Sequence, residues 1–124
     1  MKICLRDGLP FIAMTLEFRG RRLVFENVLL DTGSAGTVFA TDRMADLGLV
    51  YEAEDTVHRI RGVGGAEFVF SKRVDSLTVE RLRAADFEIE VGAMDYGFTL
   101  DGIVGVDWLT QIGAVIDLAR LEIR

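Results

Sequence analysis

The sequence predicts a mainly β fold with one or two short helices, and three observations predict it. Thirteen glycines punctuate short apolar segments while Pro10 is the only proline, the pattern of many strands joined by tight turns. Ile12, Met14, Leu16 and Phe18 alternate with smaller or polar residues, the period of a half-buried strand. The apolar runs Val28-Leu29-Leu30 and Thr37-Val38-Phe39-Ala40 flank Asp31-Thr32-Gly33-Ser34, which puts a carboxylate in a glycine-tight loop between two strands. A chain of 124 residues suits one domain, 1–124, with its own core, and no linker or low-complexity tract divides it.

The elements follow in order. The alternating strand turns at 19–22, and Leu23-Val24-Phe25 leads into a strand ending at Asp31, a hairpin feeding the loop. A helix is expected over 42–47, with Thr41 as its cap, Met44 and Leu47 on one face and Gly48 at its end. A second hairpin pairs 56–60 with 67–70 across the turn Arg61-Gly62-Val63-Gly64-Gly65. Further strands are expected at 73–79, 85–91 and 101–105. A helix over 106–112 follows, with Trp108, Leu109 and Ile112 on one side, Asp107 as cap and Gly113 at its end. Residues 114–118 and 121–124 read as a terminal hairpin. Segments 23–39 and 87–109 echo one another faintly, as two similar halves or as a coincidence of β-rich sequence.

Net charge is −6 and the cations are scattered between acids, so no basic stripe points to nucleic acid. Hydrophobic residues make up 50% of the chain, which fits either a buried subunit interface or simply an apolar core. Cys4 is alone, which leaves no internal disulfide or cysteine metal cluster and suits a reducing compartment. The first residues lack the apolar core of a signal peptide, and no stretch reaches the ~18 apolar residues of a membrane span. A cytoplasmic protein without membrane partner is expected. Asp95, Asp101, Asp107 and Asp117 do not match a calcium loop, so neither metal nor cofactor is expected.

Asp31 admits two readings. Asp-x-Gly is ordinary turn chemistry, with Gly33 permitting a positive φ. A surface turn, however, needs no apolar run on both sides. The other reading is acid–base chemistry by two carboxylates sharing a proton. Only one such motif is present, so the second carboxylate would come from another copy of the chain. Thr32 would then lock the loop against its symmetry mate, Gly33 would let backbone approach the carboxylate, and Ser34 would bond the outer oxygen of Asp31. Gly62 to Gly65 suits either a lid over a substrate or a plain hairpin turn. His58, the only histidine, has nothing near Ser34 to suggest a triad and reads as a surface or strand residue. Trp108 reads as core and Cys4 as an inert thiol in or beside a strand.

Leu29-Leu30-Asp31-Thr32-Gly33-Ser34 resembles the catalytic signature of retropepsin-like aspartic proteases. Arg61 to Gly65 looks like their flap tip, and Ile103-Val104-Gly105 before a helix is similar to their apolar-apolar-Gly strand. The resemblance runs from about Pro10 onward and is nearest to stand-alone cellular and bacterial members over 101–123. It implies a closed β-barrel of the acid-protease fold with a flap hairpin. It also implies a homodimeric endopeptidase acting on peptide or protein substrates, with Asp31 catalytic and supported by Thr32, Gly33 and Ser34. Gly62, Val63, Gly64 and Gly65 would form the flap, and Ile103 and Val104 would line the substrate pocket. Retroviral members pair an Arg just after the apolar-apolar-Gly segment with an Asp soon after Asp-Thr-Gly. Here those places hold Val106 and Ala35, so retroviral specificity and nearby dimer contacts do not carry over. The retroviral termini interleave between subunits, a role open to 1–5 and 121–124. Two alternatives stand beside the protease: a non-proteolytic dimeric binding or assembly module of the same fold, and a monomeric barrel binding a small ligand.

Overall fold

The computed structural model describes residues 1–62, 65–94 and 99–124. β1 (Cys4–Arg6), β2 (Leu9–Phe18) and β3 (Arg21–Leu30) form an antiparallel meander. Its two-residue turns, Asp7-Gly8 and Arg19-Gly20, have positive φ at both positions (52° and 77°, 49° and 80°), the twist that closes a tight hairpin. After the Asp31 loop come β4 (Val38–Ala40) and α1 (Thr41–Asp46). The second half repeats this plan with β5 (Val57–Gly62), β6 (Gly65–Val79), β7 (Leu82–Gly92), β8 (Gly102–Val104) and α2 (Val106–Gln111). β9 (Ile116–Asp117) and β10 (Glu122–Ile123) make a small separate sheet.

The large sheet runs β1-β2-β3-β8-β4-β7-β6-β5, and an added β2–β6 pairing closes its six inner strands into a ring. That order reads the same from either end when the two halves are exchanged. The registers agree: β3 pairs β8 in parallel (Val28↔Gly102, Leu30↔Val104), as β4 pairs β7 (Val38↔Glu90, Ala40↔Gly92). Two antiparallel pairings map onto themselves, β4–β8 through Val38↔Ile103 and Phe39↔Gly102, and β2–β6 through Leu16↔Leu77. The faint echo between the halves is therefore a pseudo-two-fold of topology. Under it Val28, Leu29 and Leu30 correspond to Glu90, Val91 and Gly92, and Asp31 corresponds to Ala93.

The ring encloses the core. Leu16 and Leu77 meet on the closing pair with no exposed surface, and Phe25 packs edge-on against Phe39 at 5.6 Å. Trp108 is fully buried from α2, and its indole N–H donates to the Leu77 carbonyl at 3.0 Å. Among the described residues no helix is long and apolar enough to cross a membrane.

Several expected elements differ. β1 was expected only as a strand in or beside Cys4, without bounds, and the strands expected at 67–70 and 73–79 are one continuous β6. Thr41 is not a cap: α1 starts on it, with Ala40 in the cap position and no side-chain cap bond, because β4 runs straight into the helix. Asp107 likewise lies inside α2, whose cap position is Gly105. The terminal segments pair within one chain. Ile3 N–H donates to Leu121 O at 2.8 Å and Ile123 N–H to Met1 O at 2.9 Å. On its other side the last strand is held by reciprocal Val115–Arg124 bonds, so both of its edges pair within the chain.

Lys72 explains why β6 looked interrupted. It is 6% exposed, and its ammonium donates to Asp55 Oδ2 at 2.6 Å and Glu52 Oε1 at 2.7 Å, pinning the loop before β5. Burial alone would lower the Lys72 pKa, but the bonds to Asp55 and Glu52 outweigh it and raise it. Arg19, bonded to Glu52 at 2.6 Å, joins Lys72 in holding the Glu52 carboxyl down at about 2. A lowered folded pKa stabilises the fold fully above the ordinary value of 4.5, and that contribution is lost as pH falls toward about 2. Glu52→Gln should therefore flatten the pH dependence of stability across that interval. Urea unfolding at stepped pH checks this, and an unchanged slope would contradict it.

Candidate active site

Asp31 directly follows β3 and is half-buried. Its N–H donates to Val104 O at 3.0 Å, carrying the β3–β8 pairing into the loop. Its carboxylate Oδ1 accepts the Gly33 N–H at 2.9 Å, and its carbonyl accepts the Ser34 N–H at 3.1 Å. Gly33 does not adopt a positive φ. What it supplies is space, since a Cβ there would stand 3.2 Å from Asp31 Oδ1. The Ser34 hydroxyl was expected on Asp31 but donates to Gly36 O at 2.7 Å, because the loop curls its own carbonyl into reach. Thr32 is exposed at the loop tip.

The loop is stitched to the start of α2. Val106 N–H donates to Ser34 O at 2.8 Å, and Gly105 N–H donates to Thr37 Oγ1 at 3.1 Å. Asp107 accepts the Thr37 hydroxyl at 2.8 Å, the Thr37 N–H at 3.2 Å and the Trp108 N–H at 2.8 Å. Val106 and Ala35 are exposed beside these bonds and supply no polar side chain.

Ile103 and Val104 divide as neighbours on a strand must. Ile103 lies opposite Leu29 and is half-buried, whereas Val104 is turned fully into the core. Along β3, Asn27, Leu29 and Asp31 are half-buried while Val28 and Leu30 are buried, so these three share one face. Asn27 borders a cavity of about 480 Å³ lined also by Arg6, Asp7, Leu9, Phe11 and Thr99; Asp31 is not among its walls. The Arg6 guanidinium donates to Asn27 Oδ1 and stacks 5.1 Å over Phe11. Sequence reading named none of these lining residues as part of a site. The available signal was the Asp7-Gly8 turn, which folds β1 beside β2.

Gly62 and Gly65 pair at the end of the β5–β6 hairpin, while Val63 and Gly64 lie outside the described residues. His58 is an exposed β5 residue bonded to Ser71 Oγ at 2.7 Å. Among the described residues no three His, Cys, Asp or Glu are grouped to hold a metal, and Asp95 lies outside them. Cys4 is exposed on β1.

The site thus offers one half-buried carboxylate in a loop tied by hydrogen bonds to β8 and α2. A comparison with curated proteins gives no match. A family model described as aspartyl protease matches residues 14–108, taking in the Asp31 loop, the β5–β6 hairpin and the start of α2. With that match covering most of its length, the chain belongs to the aspartyl protease family.

Proposed function

We propose that the chain is a homodimeric aspartic endopeptidase in which Asp31 from each subunit meets its mate on a two-fold axis. Family membership supports aspartic protease function in general. The observation that carries the finer reading is that the sequence holds a single Asp-Thr-Gly-Ser loop, stitched to the start of α2. A dyad that shares a proton needs two such carboxylates, and a second copy of the chain supplies the other. The six-stranded ring would be the closed barrel of this fold, with 1–124 as a single domain.

In the proposed mechanism the two carboxylates share one proton, because like charges so close cannot both ionise. The charged one takes a proton from a water that attacks the scissile carbonyl. The protonated one polarises that carbonyl and then helps protonate the leaving amine. The Gly33 N–H on Asp31 Oδ1 fixes the carboxylate plane. An extended peptide lies between the dyad and the hairpin tip at Gly62, Val63, Gly64 and Gly65, held by main-chain bonds. Ile103 and the cavity beside Asn27 receive its side chains. No step uses a metal or a cofactor. A cytoplasmic setting suits the exposed thiol of Cys4.

Sedimentation joined to cleavage of a peptide library tests this. The expected result is a dimer whose specific activity falls on dilution and is blocked by a peptidic aspartic-protease inhibitor. Activity should also fall once pH is high enough to ionise both carboxylates. A strictly monomeric chain that still cleaves would remove the shared dyad, and a dimer that binds peptides without cleaving them would favour the binding module.

A further inference from the structure

We propose that Thr37 and Asp107 are positioning residues for Asp31, a clamp that sets where its carboxylate stands; this rests on the reading of Asp31 as catalytic. Four successive residues each hold the loop. Val104 O accepts from Asp31 N–H, Gly105 N–H donates to Thr37 Oγ1, Val106 N–H donates to Ser34 O, and the Asp107 carboxylate takes both donors of Thr37. Thr37 and Asp107 are the side chains that make this cross-link, and they lie 70 positions apart.

Neither residue is explained by packing alone. Thr37 is 1% exposed, a place a valine would fill, and burying a hydroxyl is costly unless it is bonded. Here the hydroxyl is used twice, donating to Asp107 and accepting from Gly105. Asp107 accepts one bond within its own helix and two from Thr37, more than an aid to a six-residue helix requires. Both ends of the segment from Asp31 to Thr37 are thereby fixed to one short stretch of chain. Val106 and Ala35 contribute no polar side chain, so the side-chain tie runs one residue further on in α2 and two further on in the loop.

The test compares Thr37→Val, Thr37→Ser and Asp107→Asn in the intact protein. Thr37→Val keeps the shape and loses the hydroxyl, and Asp107→Asn turns an acceptor into a donor facing an N–H. Both should lower kcat about a hundredfold, the cost of a misplacement near 1 Å, while KM changes little. Thr37→Ser should recover most of the loss. The pH limb on which the second carboxylate ionises should move in Thr37→Val, because carboxylate spacing sets how strongly the proton is shared. A merely structural role would leave that limb in place. Amide exchange at Gly33, Ser34 and Val106 should quicken in Thr37→Val. Unchanged kcat and pH profile in a folded Thr37→Val overturns the clamp, as does unchanged exchange at those amides whether or not peptide is cleaved. A wild-type protein that cleaves no peptide overturns instead the catalytic reading on which the clamp rests.

Discussion

Asp31→Asn should lower kcat by up to about 10⁴, the range spanned by positioned acid–base groups, while the melting temperature barely moves. An amide cannot take a proton from water at neutral pH, nor can it share one with its mate. The fold has little reason to respond, since Asp31 is half-buried and its backbone bonds to Val104 and Ser34 do not involve the side chain. The informative form of the experiment mixes Asp31→Asn with wild-type chains and lets them exchange. If each site needs two intact carboxylates, activity falls with the square of the wild-type fraction. A linear fall would mean that one chain suffices, and the shared dyad would be wrong.

Gly105→Ala should damage both stability and turnover. An added Cβ would stand 2.4 Å from Gly36 O and 2.6 Å from Ser34 O, distances that real Cβ atoms do not tolerate. Both obstacles are backbone, so no side chain can swing aside. Either α2 backs away from the loop or the loop moves. Overpacking of this kind costs about 1–3 kcal/mol and occasionally more. Because the displaced segment carries Asp31, kcat should fall about a hundredfold as well. Gly36→Ala is the control, since its Cβ would meet only Glu90 Oε1 at 3.4 Å. Urea midpoints and turnover of the two variants decide the matter, and a Gly105→Ala protein as stable and active as Gly36→Ala would sink the argument.

Strand periodicity and glycine punctuation are local signals, so they made the hairpins, the Asp31 loop and the α2 region legible in the sequence. What escaped depends on partners far along the chain. β1 was not delimited beyond placing Cys4 in or beside a strand, because its three residues are all exposed and show no alternation. β6 looked broken at Ser71-Lys72 because the acids that bury Lys72 lie on the loop before β5. Thr41 and Asp107 were assigned as caps from residue type alone, but the cap positions fall on Ala40 and Gly105, which have no capping side chain. The Ser34 hydroxyl was misdirected for a similar reason, since a loop's curl cannot be read from its composition. Thr37 looked like one more strand residue, and nothing near it in sequence announces Asp107.

The pairing of the two chain ends has a practical side. The Met1 ammonium stands 3.2 Å from the Ile123 carbonyl, so entry and exit share one spot on the surface. A short linker would join them, and new ends could then be opened at an exposed turn such as Arg19-Gly20, giving a circularly permuted chain with the same ring. The same adjacency makes these residues an easily grafted cassette, one that could be spliced into a surface loop of a host protein without spreading that loop apart.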